Sequence, residues 1–374
     1  MRIGFDAKRV FYNRSGLGNY SRDIVQALYQ KFPEEEYILY TPSVRGSISF
    51  LPSNRVGIAT PPLGFGKLRS SYWRTMLLAK RLERDEVDIY HGLSHEVPYN
   101  IQKTRVKSVV TIHDLIFMRY PQWYGFIDRK IYERKVRYSC NAANKIIAVS
   151  QQTKDDLISF MGIDEQKIQV IYQGCNDIFK KEASQEDLNR VHKKHGLPDR
   201  YILSLGTIEE RKNLLTVIRA LHEGNIDIPL VAIGRSTKYM VKIRKYMMHH
   251  GIKNIHFLHS LPSEDLPVIY QGASMFVYPS VFEGFGIPIL EALNSKIPVI
   301  TSKGGCFSEV GGAHSIYVDP LNVPEMTDAI QKVLGDTDLR KKMIEEGFRH
   351  AQKFDKEGIA GQMMKIYKEL YNAG

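Results

Sequence analysis

Short apolar runs alternate with amphipathic stretches along the whole chain. Residues 2–7, 37–40, 87–92, 108–114, 145–150 and 168–174 read as buried strands, with helical periodicity over 22–28, 68–84 and 151–160. Past a polar, charged stretch from Cys175 to about Gly196, the alternation resumes. Strands are predicted at 201–207, 229–234, 255–258, 275–278, 297–301 and 315–318, a helix at 214–221, and a helical tail over 323–370. This repetition is the signature of parallel α/β units. The change in composition divides the chain into domains at 1–180 and 181–355, with a last helix, 356–374, free to pack back on the first domain.

One stretch organises the second half. Phe282-Glu283-Gly284-Phe285-Gly286-Ile287-Pro288-Ile289-Leu290-Glu291-Ala292-Leu293 follows a buried strand that ends at Pro279. Strand, loop, glycines and helix in that order aim the N–H groups of a helix start out of the carboxyl end of a sheet, where anions bind. Pro288 suits the first turn, where its missing N–H costs nothing. Glu283 falls in the loop and Glu291 about one turn into the helix, so each can serve a different part of one ligand. Glu291 among apolar neighbours is either a solvated residue or a partner for sugar or ribose hydroxyls, and its place beside an anion-binding turn favours the second. Upstream, Arg211 and Lys212 lie between the strand ending near Gly206 and the helix from Leu214. An Arg fork and a Lys point charge fixed there can neutralise a diphosphate.

The first half offers less specific signals. Ser15-Gly16-Leu17-Gly18-Asn19 reads as a flexible loop after the first strand, ahead of a helix from Arg22. It lacks the third glycine and the distant acid of a dinucleotide fingerprint, so a nicotinamide site is a weak reading. A backbone loop approaching a phosphate or acceptor is a better one. His113 sits where a strand gives way to a loop and can donate to a substrate hydroxyl or stabilise charge, a structural histidine being the rival. His91 has the same placement and lines the cleft at most. The helix over 68–84 sets Trp73, Met76, Leu77, Ala79 and Leu82 against Arg69, Arg74, Lys80, Arg81 and Arg84. Such a face fits anionic lipid or an ordinary surface.

Composition narrows the classes. The 374 residues are 43% hydrophobic and 25% charged, enough for two domains. The net charge of +11 is lopsided: 27 Lys+Arg face 18 Asp+Glu up to Lys180, and 25 face 23 beyond. A basic first half suits an anionic membrane, a phosphorylated lipid or nucleic acid, or is a solvated face. Three scattered cysteines argue against a disulfide framework or a zinc ribbon. The N-terminus enters a strand at once, without the apolar region of a signal peptide, and no run of 18 apolar residues exists. Asp336-Thr337-Asp338 reads as a helix cap, His192, His195 and His249-His250 lack metal-ligand spacing, and there is no Walker loop.

Over its whole length the chain resembles the family 4 retaining glycosyltransferases, most nearly bacterial polysaccharide and lipopolysaccharide mannosyltransferases. The resemblance rests on Glu283-x7-Glu291 around Gly284-Phe285-Gly286, on Gly206 with Arg211-Lys212-Asn213, and on Gly16-Leu17-Gly18. It implies the GT-B fold, α/β, with two Rossmann-like doubly wound domains facing across a cleft. The first would bind the acceptor and the second the nucleotide-sugar. It implies that Arg211 and Lys212 bind the donor diphosphate near Gly206, helped by amides near Gly16 and Gly18. Glu291 would hold the ribose hydroxyls, and Glu283 the transferred sugar. The amides of Phe285, Gly286 and Ile287 would hold sugar hydroxyls and phosphate, with His113 beside the sugar. Glu283, His113 and Lys212 would be the catalytic set. Thr207 stands where the family often has an Arg, a charge that Arg211 would supply.

The implied reaction is transfer of a sugar with retention, mannose from GDP-mannose first and a UDP-sugar next, to a glycan or lipid-linked acceptor. Neither a metal nor another cofactor is expected, and no nucleic acid. The expected location is the cytoplasm, peripheral on the inner face of the membrane if the basic half meets anionic lipid. A GT-B nucleotide-sugar 2-epimerase and a noncatalytic nucleotide-sugar-binding protein are the alternatives.

Overall fold

Two all-parallel sheets form where the apolar runs predict strands, with one further strand at Val56–Ala59 that they do not predict. They are seen in a computed structural model that describes every residue except 14–15, 45–55, 63–70 and 374. Contacts divide the chain into a unit made of Met1–Gly174 with Phe354–Gly374 and a unit made of Cys175–Lys353.

In the first unit the strands are β1 (Arg2–Asp6), β2 (Glu36–Tyr40), β3 (Val56–Ala59), β4 (Ile89–Gly92), β5 (Lys107–Ile112), β6 (Lys145–Ala148) and β7 (Ile168–Val170). Their order is β3-β2-β1-β4-β5-β6-β7, with every pair parallel. Alternation along each strand sends side chains to two cores. Ile3, Phe5, Tyr37, Leu39, Ile89 and Val109 fill one, with the helices Gly16–Lys31 and Lys356–Asn372 over them. Tyr40, Tyr90, Val110, Ile112 and Ile146 fill the other. The last helix therefore completes the core of the first unit. Ile359, Ala360, Met363, Met364, Ile366 and Tyr367 are its buried residues.

Three expectations change here. The glycines Gly16 and Gly18 open the helix Gly16–Lys31 and are no loop; Ser15 lies outside the described residues. A Cβ on Gly18 would fall 1.9 Å from the Asn13 carbonyl oxygen, so the helix start crosses the preceding chain at a distance only glycine allows. His91 is fully buried beneath the last helix and lines nothing: its Nδ1 lies 2.6 Å from the Tyr367 hydroxyl and its Nε2 2.8 Å from Thr111 Oγ1. The basic helix is described only from 71 onward, as a π turn at Trp73–Leu77 and an α-helix at Leu78–Arg84. Arg74, expected on its solvent face, turns inward to Asp6 and Glu96.

The second unit has β8 (Ile202–Leu205), β9 (Leu230–Ile233), β10 (Ile255–Leu258), β11 (Met275–Tyr278), β12 (Val299–Ser302) and β13 (Ile316–Val318). The order is β10-β9-β8-β11-β12-β13, again all parallel. β8 and β11 are neighbours in space, and the chain winds outward from them in opposite directions. In an open α/β sheet, that switch point leaves a crevice at the carboxyl ends of the two strands. The predicted cap Asp336 accepts from the Leu339 N–H, as expected. Asp265 stands at the N-cap of Leu266–Gly272, but its side chain instead meets Lys194 and His195.

The strand ends of the second unit pack backbone on backbone. A Cβ on Gly234 would lie 1.8 Å from the Gly206 carbonyl oxygen. Gly234→Ala should cost about 3 kcal/mol through forced separation of the two loops. Gly335→Ala, where a Cβ meets nothing, should stay within about 0.5 kcal/mol of the parent. Denaturant unfolding of both variants checks this; equal effects would contradict the packing.

Candidate active site at the β8/β11 switch point

Two loops meet above β8 and β11. The first leaves β8 at Gly206, whose φ of +147° suits glycine, and runs through a short 3-10 turn at Glu210–Lys212. The Lys212 stem packs over Gly206, whose added Cβ would touch its Cδ at 3.4 Å. The second loop leaves β11 at Tyr278 and reaches the helix Ile287–Asn294. The loops are stitched together: the Val281 N–H donates to the Arg211 carbonyl at 2.8 Å, and Arg211 Nη1 donates to the Phe282 carbonyl at 2.8 Å.

Within this frame Glu283 takes both cations. Its Oε1 lies 2.7 Å from Arg211 Nη1 and 2.6 Å from Lys212 Nζ, and it accepts from the Ser280 hydroxyl. Lys212 also donates to the Tyr278 hydroxyl at 2.5 Å, and Arg211 Nη2 to Glu209 at 2.8 Å. Burial alone would push the Glu283 carboxyl up; Arg211 and Lys212 outweigh it and bring it down to about 2. Burial lowers the Lys212 ammonium from its ordinary value against the pull of Glu283. Cys306, at the loop after β12, donates its thiol to the Glu283 carbonyl at 3.2 Å and so fixes the backbone behind the carboxylate.

The helix start is close by in sequence and built as expected. Gly286 takes the N-cap with φ +112°, and Pro288 occupies the first turn. Pro288 carries no N–H and the Ile289 N–H donates to the Gly286 carbonyl at 2.9 Å, so the helix start offers a ligand the amide of Ile287 rather than a full turn of donors. Phe285 is buried beside it. Glu291 is partly buried, and the Tyr270 hydroxyl donates to its Oε2 at 3.0 Å.

The sequence candidates thus separate. Gly206, Arg211, Lys212 and Glu283 converge on one point, with Phe285, Gly286, Ile287 and Glu291 on the element that follows. Gly16, Gly18 and His113 belong to the first unit. There His113 Nε2 lies 2.9 Å from the Leu93 carbonyl, which can only accept, so Nε2 carries the proton and Nδ1 is bare. The His113 amide donates to His95 Nε2 at 2.7 Å, and Tyr20 meets its ring edge-on at 4.7 Å. Burial, then His95, lowers His113 to about 3. The neutral ring has spent its N–H on the protein, so it offers an acceptor and neither the donor nor the charge expected of it.

Sequence reasoning missed Tyr278, Ser280, Cys306 and Tyr270. A polar residue closing an apolar strand was the available signal for Tyr278, and its adjacency to the Glu283 loop was the signal for Ser280. Nothing in the sequence joins Cys306 or Tyr270 to the carboxylates they serve. Among the described residues no group of three or more His, Cys, Asp and Glu converges to hold a metal.

The depressed Glu283 carboxyl sets a pH dependence. A group lowered from 4.5 to about 2 stabilises the fold above the unfolded value, and this contribution is lost as pH falls through the folded one. The stability gap between the parent and Glu283→Gln should therefore be widest near neutrality and close progressively below pH 4.5. Denaturant titrations across that range read it, and a gap independent of pH would show that Glu283 is not ionised in the fold.

Comparison with known proteins gives these loops a context. Residues 185–350 match the model for glycosyl transferases group 1, and residues 14–177 the model for glycosyltransferase family 4. O-antigen chain mannosyltransferase B of Escherichia coli is 27% identical over 99% of this chain and 100% of its own length. Sucrose-phosphate synthase from Thermosynechococcus elongatus superposes with a TM-score of 0.80 at 20% identity, covering all of both chains. Anabaena Alr3699/HepE, solved with UDP-glucose, gives 0.76 at 18% identity over 99% of this chain and all of its own. The two parallel α/β units have the GT-B fold of these structures, and the chain is a member of the glycosyltransferases that join a family 4 domain to a group 1 domain.

Proposed function

We propose that this glycosyltransferase is a retaining, metal-independent enzyme that transfers mannose from GDP-mannose, or next a sugar from a UDP donor, to a glycan or lipid-linked acceptor in cell-surface polysaccharide synthesis. Its likeness along the full chain to an O-antigen mannosyltransferase supports the sugar and the pathway. The complex of Alr3699/HepE with UDP-glucose supports a nucleotide-sugar donor and keeps UDP sugars in view. The observation that carries the proposal is the meeting of Arg211, Lys212 and Glu283 at the β8/β11 switch point.

In this reading the diphosphate lies against Arg211, Lys212 and the amides of Gly286 and Ile287 at the helix start. Arg211 commits three donor contacts to protein acceptors, and Lys212 two, so each retains N–H capacity for phosphate oxygens. As the sugar–phosphate bond breaks, negative charge builds on the leaving diphosphate and positive charge on the anomeric carbon. Two cations already fixed and largely shielded from water stabilise the first without reorganising. They also supply charge that a metal ion supplies elsewhere. Glu283 aligns both cations and borders the transferred sugar. Glu291, oriented by Tyr270, takes the ribose hydroxyls. The acceptor hydroxyl attacks from the face the diphosphate leaves, its proton passing to the departing phosphate. For Gly16, Gly18 and His113, the proposed donor contacts rest on the family resemblance.

Lys212→Ala should lower kcat by about 100-fold or more while donor binding falls less, because the lysine acts chiefly as charge builds. Glu291→Ala should raise the KM for the donor by about tenfold with a smaller change in kcat, the loss of a ground-state contact. Steady-state transfer assays with GDP-mannose and UDP sugars, run with chelator in excess, read both. Wild-type kinetics in either variant, or activity that needs added magnesium or manganese, would overturn the assignment. Product analysis separates transfer from epimerisation and from binding alone.

A further inference from the structure

Residues 120–137 in the first unit form a surface that an ordinary solvated helix does not. Tyr120 stacks on Trp123 with ring centroids 4.4 Å apart, and the chain then enters the helix Phe126–Ala142. That helix buries Val136, Ser139 and Cys140. Ile127 stands about two and a half turns before Val136, so it faces the other way. It is 73% exposed, Phe126 is 68% exposed, and Ile131, one turn on, is 48% exposed. Lys130 and Arg134 interleave with them on the same outward face, and both are exposed. From 120 to 137 five cations meet two acids, Asp128 and Glu133. Glu133 is already shared by Lys130 at 3.1 Å and Arg137 at 3.5 Å, while Arg134 enters no ion pair among the described residues.

We propose that this outward face, Phe126, Ile127 and Ile131 with Lys130 and Arg134, docks the enzyme on an anionic lipid bilayer. Apolar side chains at a helix tip gain by entering the acyl boundary, while Lys and Arg stems lie along it and keep their charges at the headgroups. The positive sign selects the partner. A second copy of this chain would bring like charge to like, whereas anionic headgroups attract each cation. Among the described residues no helix is long and apolar enough to cross a membrane, so this is contact along a surface.

The helix first expected to meet lipid is less suited. Tyr72, Met76 and Leu77 are exposed there, but Arg74 is taken by Asp6 and Glu96, and Arg81 by Asp85 at 2.8 Å. Membrane docking deepens the proposed function, on which it rests, by naming a partner for an enzyme whose proposed acceptors include lipid-linked ones. Donor binding does not depend on it, so the two can fail separately.

The test is flotation of the full-length enzyme with vesicles of phosphatidylcholine alone and of phosphatidylcholine mixed with phosphatidylglycerol, at low and high salt. The parent should bind the mixed vesicles about tenfold more than the neutral ones, and salt should weaken the binding. Ile127→Glu with Ile131→Glu, and separately Arg134→Glu, should each lower it about tenfold, a loss of about 1.4 kcal/mol. Met76→Glu should not. Melting temperature and the thermal shift with GDP-mannose should match the parent in all three, showing that fold and donor site are intact. Equal recovery with both vesicle types, no recovery with either, or unchanged binding by the Ile127/Ile131 variant would overturn the proposal. So would intact vesicle binding by that variant combined with lost transfer to a water-soluble acceptor, which would assign the face to acceptor recognition.

Discussion

A carboxylate clamped between an arginine and a lysine, largely shielded from water, is the interaction on which the site is built. Glu283 reaches both cations within 2.7 Å, and the loops that carry them are joined by a backbone hydrogen bond from Val281 to Arg211 and by Arg211 to the Phe282 carbonyl. Burying charges costs more than their attraction commonly returns, and apolar side chains of similar volume often stabilise a fold as well or better. Stability therefore does not explain why this chain keeps the cluster. Its position does: the carboxyl ends of two strands at a switch point are where an α/β sheet presents loops and helix starts to a ligand.

Rigidity follows from the way the cluster is shimmed. Gly234 lets its loop approach the Gly206 carbonyl at a distance no other residue allows, and the Lys212 stem lies on Gly206. Tyr278, Ser280 and Cys306 add further polar contacts around Lys212 and Glu283. The cations are thus held in place before any donor arrives. In the first unit, the last helix is tied to the sheet by His91 and Tyr367, groups that are 276 residues apart in the chain. A polar pair inside an apolar core favours one register of that helix over others that would leave a buried ring nitrogen unpaired.

Much of this was legible in the sequence because the strands are short, apolar and buried, and the helices between them are amphipathic. The run from Met275 to Leu293 reads as strand, loop, glycine cap and helix in order, with Pro288 in the first turn. Contacts made by folding were not legible. The Gly16–Lys31 helix starts six residues earlier than its periodicity suggested, since the fitness of Gly18 depends on the Asn13 carbonyl passing beneath it. Arg74 looked like a surface cation because the helical pattern cannot show that Asp6 and Glu96 wait on its inner side. His113 kept its place at a strand end, but its protonation is set by the Leu93 carbonyl and by burial, which no local pattern encodes. Exposed apolar residues at 126–131 likewise became visible only once the neighbouring positions had gone into the core.

The most direct test is a crystal structure of the enzyme with an intact or non-hydrolysable GDP-mannose bound. The account predicts the diphosphate within hydrogen-bonding distance of both Arg211 and Lys212, with the ribose at Glu291. A donor whose diphosphate touched neither cation, or that bound away from the β8/β11 loops, would contradict it.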